Sequence, residues 1–152
     1  MEFDIRTGVE RDLPQLLKLI KELAKFEKAP EQVKMTLEKL IEDGFGEHPL
    51  YCFIVAESQQ HGVMGMALYY YRYSTWKGKF LYLEDIVVNE SYRSKGIGNA
   101  LMQRLKEIAK TENCTGLTWQ VLDWNADAIR FYERLGASIS NEWLNATIFI
   151  NV

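Results

Sequence analysis

Cysteine, histidine and proline are scarce in this chain. Among 152 residues there are two cysteines, Cys52 and Cys114, two histidines, His48 and His61, and three prolines. The cysteines lie far apart and outside any CxxC spacing, so with so few imidazoles no zinc or iron site can be argued. Two reduced thiols in a cytosolic protein is the plain expectation. No apolar run approaches the roughly 20 residues of a membrane span. The opening MEFDIRTGVERD is too charged for a signal peptide. An excess of positive charge is also missing: the formal net charge of −3 argues against a nucleic-acid binder and is compatible with a cationic small molecule. Repeats, low-complexity stretches and linkers are absent from the sequence. These absences predict one cytoplasmic domain over residues 1–152, with no metal, no nucleic acid and no membrane partner.

What is present is patterned apolar sequence, 47% of the residues, enough for a substantial core. Residues 3–6 suit a short strand. Asp12 and Gln15 fit a capping box ahead of Leu13, Leu16, Leu17, Ile20, Leu23 and Ala24, which recur at helical spacing to about Phe26. Pro30 ends that helix, and Val33, Leu37, Leu40 and Ile41 predict a second one that stops at Gly44-Phe45-Gly46. The period then changes, and 51–57, 63–73 and 79–88 read as strands. Ile97, Leu101, Leu105 and Ile108 share one face of a long helix, and 117–122 is a further strand. Asn125 can cap a shorter helix through Ala128, Phe131, Tyr132 and Leu135, with Gly136 ending it. Residues 143–152 alternate as a final strand. The order predicts an α/β fold with a mixed central sheet and helices on both faces. The crossover from 79–88 to 117–122 makes those strands parallel, with a ligand expected at their carboxyl ends.

Two short stretches carry the chemistry. In YRSKGIG, Gly96 and Gly98 open the long helix, with Arg93 and Lys95 beside them. Unpaired amides and the helix dipole there favour an anion such as a pyrophosphate. A strand-to-helix loop with solvated cations is the other reading, because short glycine motifs are weak evidence. Neither GxxxxGK[ST] nor GxGxxG is matched. The second stretch is Glu84-Asp85, which interrupts Phe80-Leu81-Tyr82-Leu83 and Ile86-Val87-Val88. Burying two adjacent carboxylates in a central strand is costly without a partner, so they either cap or pair structurally or they meet a ligand.

A third motif narrows the choice: V121-x-x-x-N125-x-x-A128-x-x-F131-Y132-x-x-x-G136. Together with R93-x-x-G96-x-G98 it resembles the acyl-CoA-binding motifs of the GNAT N-acetyltransferase superfamily. ELAKFEK (22–28), EDGFGEHPLY (42–51), YSTWKGK (73–79), LYLEDIVV (81–88) and VLDWN (121–125) are similar to the diamine acetyltransferase group. That group holds spermidine/spermine and thialysine N-ε-acetyltransferases. YSTWKG and VLDWN lean to the thialysine branch, because the polyamine branch carries Asp before Pro-Trp where this chain reads Ser74-Thr75-Trp76.

The resemblance implies the GNAT fold with splayed strands 79–88 and 117–122, acetyl-CoA as co-substrate, a small primary amine as acceptor and a homodimer. Direct attack by the amine in a ternary complex needs no metal. An amine of pKa about 10.4 must lose a proton before it attacks, and the departing thiolate needs one. By resemblance, Glu84 assists deprotonation in the acceptor site and Tyr132 protonates the thiolate. On spacing alone Tyr132 reads first as core beside Phe131. Cofactor contacts are implied for Ile86, Val87 and Val88 (main chain to the pantetheine arm), for Arg93, Ser94, Lys95, Gly96, Ile97, Gly98 and Asn99, and for Asn125 and Ala128. Asn125 is also a plain helix cap. Acceptor contacts are implied for Phe26, Glu27, Trp76, Glu84, Asp85, Thr118, Trp119 and Gln120. An acyl-CoA-binding regulatory module is the competing class.

Overall fold

A half-buried arginine fixes the start of the fold. Arg6, on strand β1 (Asp4–Thr7), donates twice to Asp12 (2.8 and 2.9 Å) and twice to Glu57 (2.9 and 3.0 Å). These bonds hold both carboxylates below their usual range. Asp12 also accepts from the Val9 amide at 2.8 Å, within a 3-10 turn at Glu10–Asp12. Its carboxylate is thus committed, and the capping box expected with Gln15 does not form. Helix α1 (Leu13–Phe26) follows directly, burying Leu13, Leu16 and Leu19. Helix α2 (Leu37–Phe45) starts at Thr36, whose hydroxyl accepts from the Lys39 amide at 3.2 Å, so Val33 lies outside it. Hydrogen bonding at the cap, rather than the apolar spacing, sets that boundary.

The computed structural model describes residues 1–151. Two compact units make up the chain, Met1–Trp119 and Gln120–Val152. The first holds a five-stranded sheet in the order β1-β2-β3-β4-β5. Strands β2 (Cys52–Ser58), β3 (Gly62–Ser74) and β4 (Gly78–Val88) form an antiparallel meander. Helix α3 (Ile97–Thr111) then crosses over to β5 (Gly116–Trp119), which runs parallel to β4. Phe53, Val55, Met66, Leu68 and Val87 meet α1 and α2 on one face. The other face belongs to α3, since a Cβ on Gly65, beside Met66, would lie 3.4 Å from Ile97. Burying such leucines and methionines contributes about 2 kcal/mol each, which is why alternation governs the meander.

Strand β5 is shorter than the sequence predicts. It ends at Trp119, where its ladder with β4 stops, and further on an Asn125 amide bond to the Leu122 carbonyl (3.0 Å) turns the chain. In the second unit, α4 (Ala126–Arg134) is capped by Asn125, whose side chain accepts from the Ala128 amide at 3.2 Å. Its far end closes at Gly136 (φ +87°), whose amide reaches Glu133 O while Ala137 reaches Tyr132 O. The predicted final strand is not formed. Residues 143–151 carry no ladder among the described residues, and Val152 lies outside them. Their apolar side chains are exposed, with Leu144 at 93% and Ile150 at 85%. Alternation specifies a strand only where one face is buried and a neighbour takes its hydrogen bonds.

Candidate active site

A β-bulge determines how the two carboxylates face. Leu68 pairs with Asp85 and Tyr69 with Leu83, so Glu84 is an extra residue with no partner on β3. In a regular strand, neighbours point to opposite faces. The bulge cancels one step of the alternation. Tyr82 shares a face with its partner Tyr70, and Asp85 with its partner Leu68, which belongs to the core under α1. Glu84 and Asp85 therefore both lie on the α1 face. The extra residue falls where the ladder between β4 and β5 stops, at Leu83–Trp119.

Asp85 is largely buried, and its carboxyl is pushed up to about 6, first by burial and then by the charges of Glu84 and Glu27. Glu27, the residue that ends α1, is raised by burial alone. No cation among the described residues pairs with any of these three groups. Asp85 is raised in the folded state, so its contribution to stability is present below the unfolded value of 3.8 and lost as pH rises through about 6. Ionising it at neutral pH costs about 3 kcal/mol. Asp85→Asn is thus expected to melt higher than the parent at pH 8 and level with it below pH 4, in thermal unfolding followed across pH. A difference independent of pH would contradict this.

Glu84 is exposed and accepts a hydrogen bond from the Tyr70 hydroxyl at 2.8 Å. Beyond it, β4 loses its other neighbour. The parallel ladder stops at Leu83–Trp119, whereas β4 continues through Ile86, Val87 and Val88. Next comes Asn89, whose side chain accepts from the Ser91 amide at 3.0 Å and donates to Glu22 at 3.3 Å. Ser94 (φ +61°) and Gly96 (φ +84°) are both left-handed, turning the backbone into the first turn of α3, where Ile97, Gly98 and Asn99 sit. A Cβ on Gly96 would meet nothing within 4 Å, so this glycine is needed for its backbone angle rather than for close packing.

Arg93 does not project freely from this loop. Its Nε donates to the Val88 carbonyl at 3.2 Å, and its guanidinium lies 5.6 Å from the centre of the Phe26 ring. Lys95 is exposed. Phe26 and Glu27 thus stand at the end of α1, beside the glycine loop and the carboxylates respectively. Trp76 stands apart, 85% exposed at the β3–β4 turn. Its amide and that of Lys77 bond to Ser74 Oγ at 3.2 and 3.1 Å. Six residues of strand separate Gly78 from Glu84, about 20 Å. Thr118 and Trp119 lie on β5, while Gln120, in the second unit, donates to Asn145 at 2.9 Å. Tyr132 is a buried residue of α4 with its ring 5.5 Å from Phe131. Tyr70 was not singled out by sequence; only the strand register reveals that it meets Glu84.

The comparisons agree with this architecture. The acetyltransferase (GNAT) family model matches residues 15–137. The chain belongs to that family and is an acyltransferase. It is 46% identical over 140 residues to a thialysine N-epsilon-acetyltransferase of Bos taurus, covering 88% of this chain and 82% of that protein. A spermidine/spermine N(1)-acetyltransferase-like protein 1 of Homo sapiens is 40% identical over 141 residues, 89% of this chain but 20% of that protein. Among solved structures, an integron cassette protein of V.cholerae superposes with TM-score 0.79 at 28% identity, over 99% of this chain and 94% of that one.

GNAT acetyltransferases use acetyl-CoA as co-substrate. The residues present fit it: an extended strand edge for an amide-bearing arm leads into a left-handed turn and a helix N-terminus suited to phosphate. Among the described residues, no group of three His, Cys, Asp or Glu could hold a metal ion, and no helix is long and apolar enough to cross a membrane.

Proposed function

We propose that this chain acetylates the side-chain amine of thialysine or a lysine-like amino acid, or one end of a short diamine. The bulge at Glu84 is the observation that carries the reading. It puts Glu84 and Asp85 on one face, with Glu27 near, and no cation among the described residues pairs with these three carboxylates. Such a cluster attracts an ammonium, and a carboxylate within reach accepts the proton that the amine must lose. Similarity to thialysine N-epsilon-acetyltransferases supports thialysine as the first acceptor, with spermidine and spermine behind it.

In this reading acetyl-CoA supplies the activated acetyl thioester. The main chain of Ile86, Val87 and Val88 binds its amide arm, and the Ser94–Asn99 amides with Lys95 hold its phosphates. Arg93, engaged with Val88 and Phe26, braces the loop. Asn125 and Ala128 complete the cofactor contacts, and Tyr132 gives the departing thiolate its proton. Phe26, Glu27, Trp76, Thr118, Trp119 and Gln120 contribute acceptor contacts. The two units act as one domain, a reading supported by a family match that runs across their boundary. A homodimer is expected from the resemblance, a cytoplasmic location from the two unpaired thiols, and the want of a nucleic-acid partner from the net charge of −3; no membrane partner is proposed.

Thiol release from acetyl-CoA, measured across thialysine, lysine, diaminopropane and spermidine, tests the acceptor class. Thialysine is expected to give the highest kcat/KM. Spermidine ranking first would move the chain to the polyamine branch.

A further inference from the structure

We infer that Tyr70 is a positioning residue that holds the Glu84 carboxylate in its working orientation. This rests on the acetyltransferase reading above and extends it to a residue outside the family motifs. The bulge frees Glu84 from the ladder and leaves it exposed. An exposed glutamate samples several rotamers, and fixing it costs entropy that must be met before it can act. Tyr70 meets that cost. Its hydroxyl donates to Glu84 Oε1 at 2.8 Å, which leaves the second carboxylate oxygen for an incoming amine.

The donor itself is held rigidly. Tyr70 pairs with Tyr82 across the strands, their ring centres 5.3 Å apart and the planes tilted by 34°. The Arg72 guanidinium lies 5.3 Å from the centre of the Tyr82 ring, on the same face. Arg72, Tyr82, Tyr70 and Glu84 thus form a continuous file along the β3–β4 hairpin. Burial, and then the hydrogen bond to Glu84, push the Tyr70 phenol above its ordinary range. Tyr70 therefore keeps its proton through the neutral range and remains a donor; it is not itself the base.

Tyr70→Phe removes only the hydroxyl and keeps the ring against Tyr82, so the fold should be untouched. The expected result is about a tenfold loss in kcat/KM for the amine, the size of one hydrogen bond to a charged group. KM for acetyl-CoA and the melting temperature should not change. The same substitution in a Glu84→Gln background should cost nothing further, because the residue it positions is gone. Equal losses in both backgrounds, or no loss in the parent, would overturn the inference while leaving the acetyltransferase reading intact. A parent protein that binds acetyl-CoA but releases no thiol with any amine would overturn that reading, and this inference with it.

Discussion

Glu84→Gln is expected to lower kcat/KM for the amine about a hundredfold at neutral pH, with KM for acetyl-CoA unchanged. Glutamine keeps the length of the side chain and one acceptor oxygen. It loses the negative charge that attracts an ammonium and the ability to take a proton from it. Near pH 7 almost all of a lysine-like amine, with pKa about 10.4, carries its proton, so removing it is a real part of the barrier. The deficit of the variant should therefore narrow as pH rises toward the amine's own pKa, where the substrate arrives already neutral. Steady-state rates across pH check both the size and the direction of this effect. Equal kcat/KM for parent and variant at every pH would remove Glu84 from the acceptor site.

Tyr132→Phe is expected to reduce kcat by about a hundredfold while the affinity for CoA is retained. Phenylalanine preserves the aromatic packing beside Phe131 and the carbonyl at position 132 that accepts from Leu135 and Ala137. Only the hydroxyl proton is lost, so α4 and its glycine cap should persist. If that proton serves the departing thiolate, chemistry slows and binding does not. Single-turnover rates and CoA titration separate the two. A variant that turns over at the parental rate would return Tyr132 to a core role.

The helical half of the fold was legible because its signals are local. Leu13 and Leu16 on α1, and Ile97, Leu101 and Leu105 on α3, announce their faces by spacing and are buried where that spacing puts them, whereas Leu19, outside the spaced set, is buried as well. Gly136 ends α4 as its position implied. The sheet was legible only in outline. Strict alternation sends Glu84 and Asp85 to opposite faces, and only the pairing of Leu68 and Tyr69 with β4 reveals the extra residue that brings them together. Arg6 reaching Glu57, and Tyr70 holding Glu84, are likewise products of register between paired strands. Residues 143–151 failed in the opposite sense: their alternation is plain, yet no ladder forms on them among the described residues. For the site, the motifs named the type of chemistry at Gly96 and Glu84. They could not say that Arg93 is spent on Val88 and Phe26, because that contact needs β4 and the end of α1 side by side.

Acetyl transfer from acetyl-CoA to a small primary amine is the reaction proposed for this chain. Thiol release from acetyl-CoA, followed with and without thialysine alongside mass analysis of the amine, tests it most directly. Release that saturates with the amine and yields one acetylated amine per thiol is the expected result. Tight CoA binding with no amine-dependent release, across the whole amine panel, would contradict it.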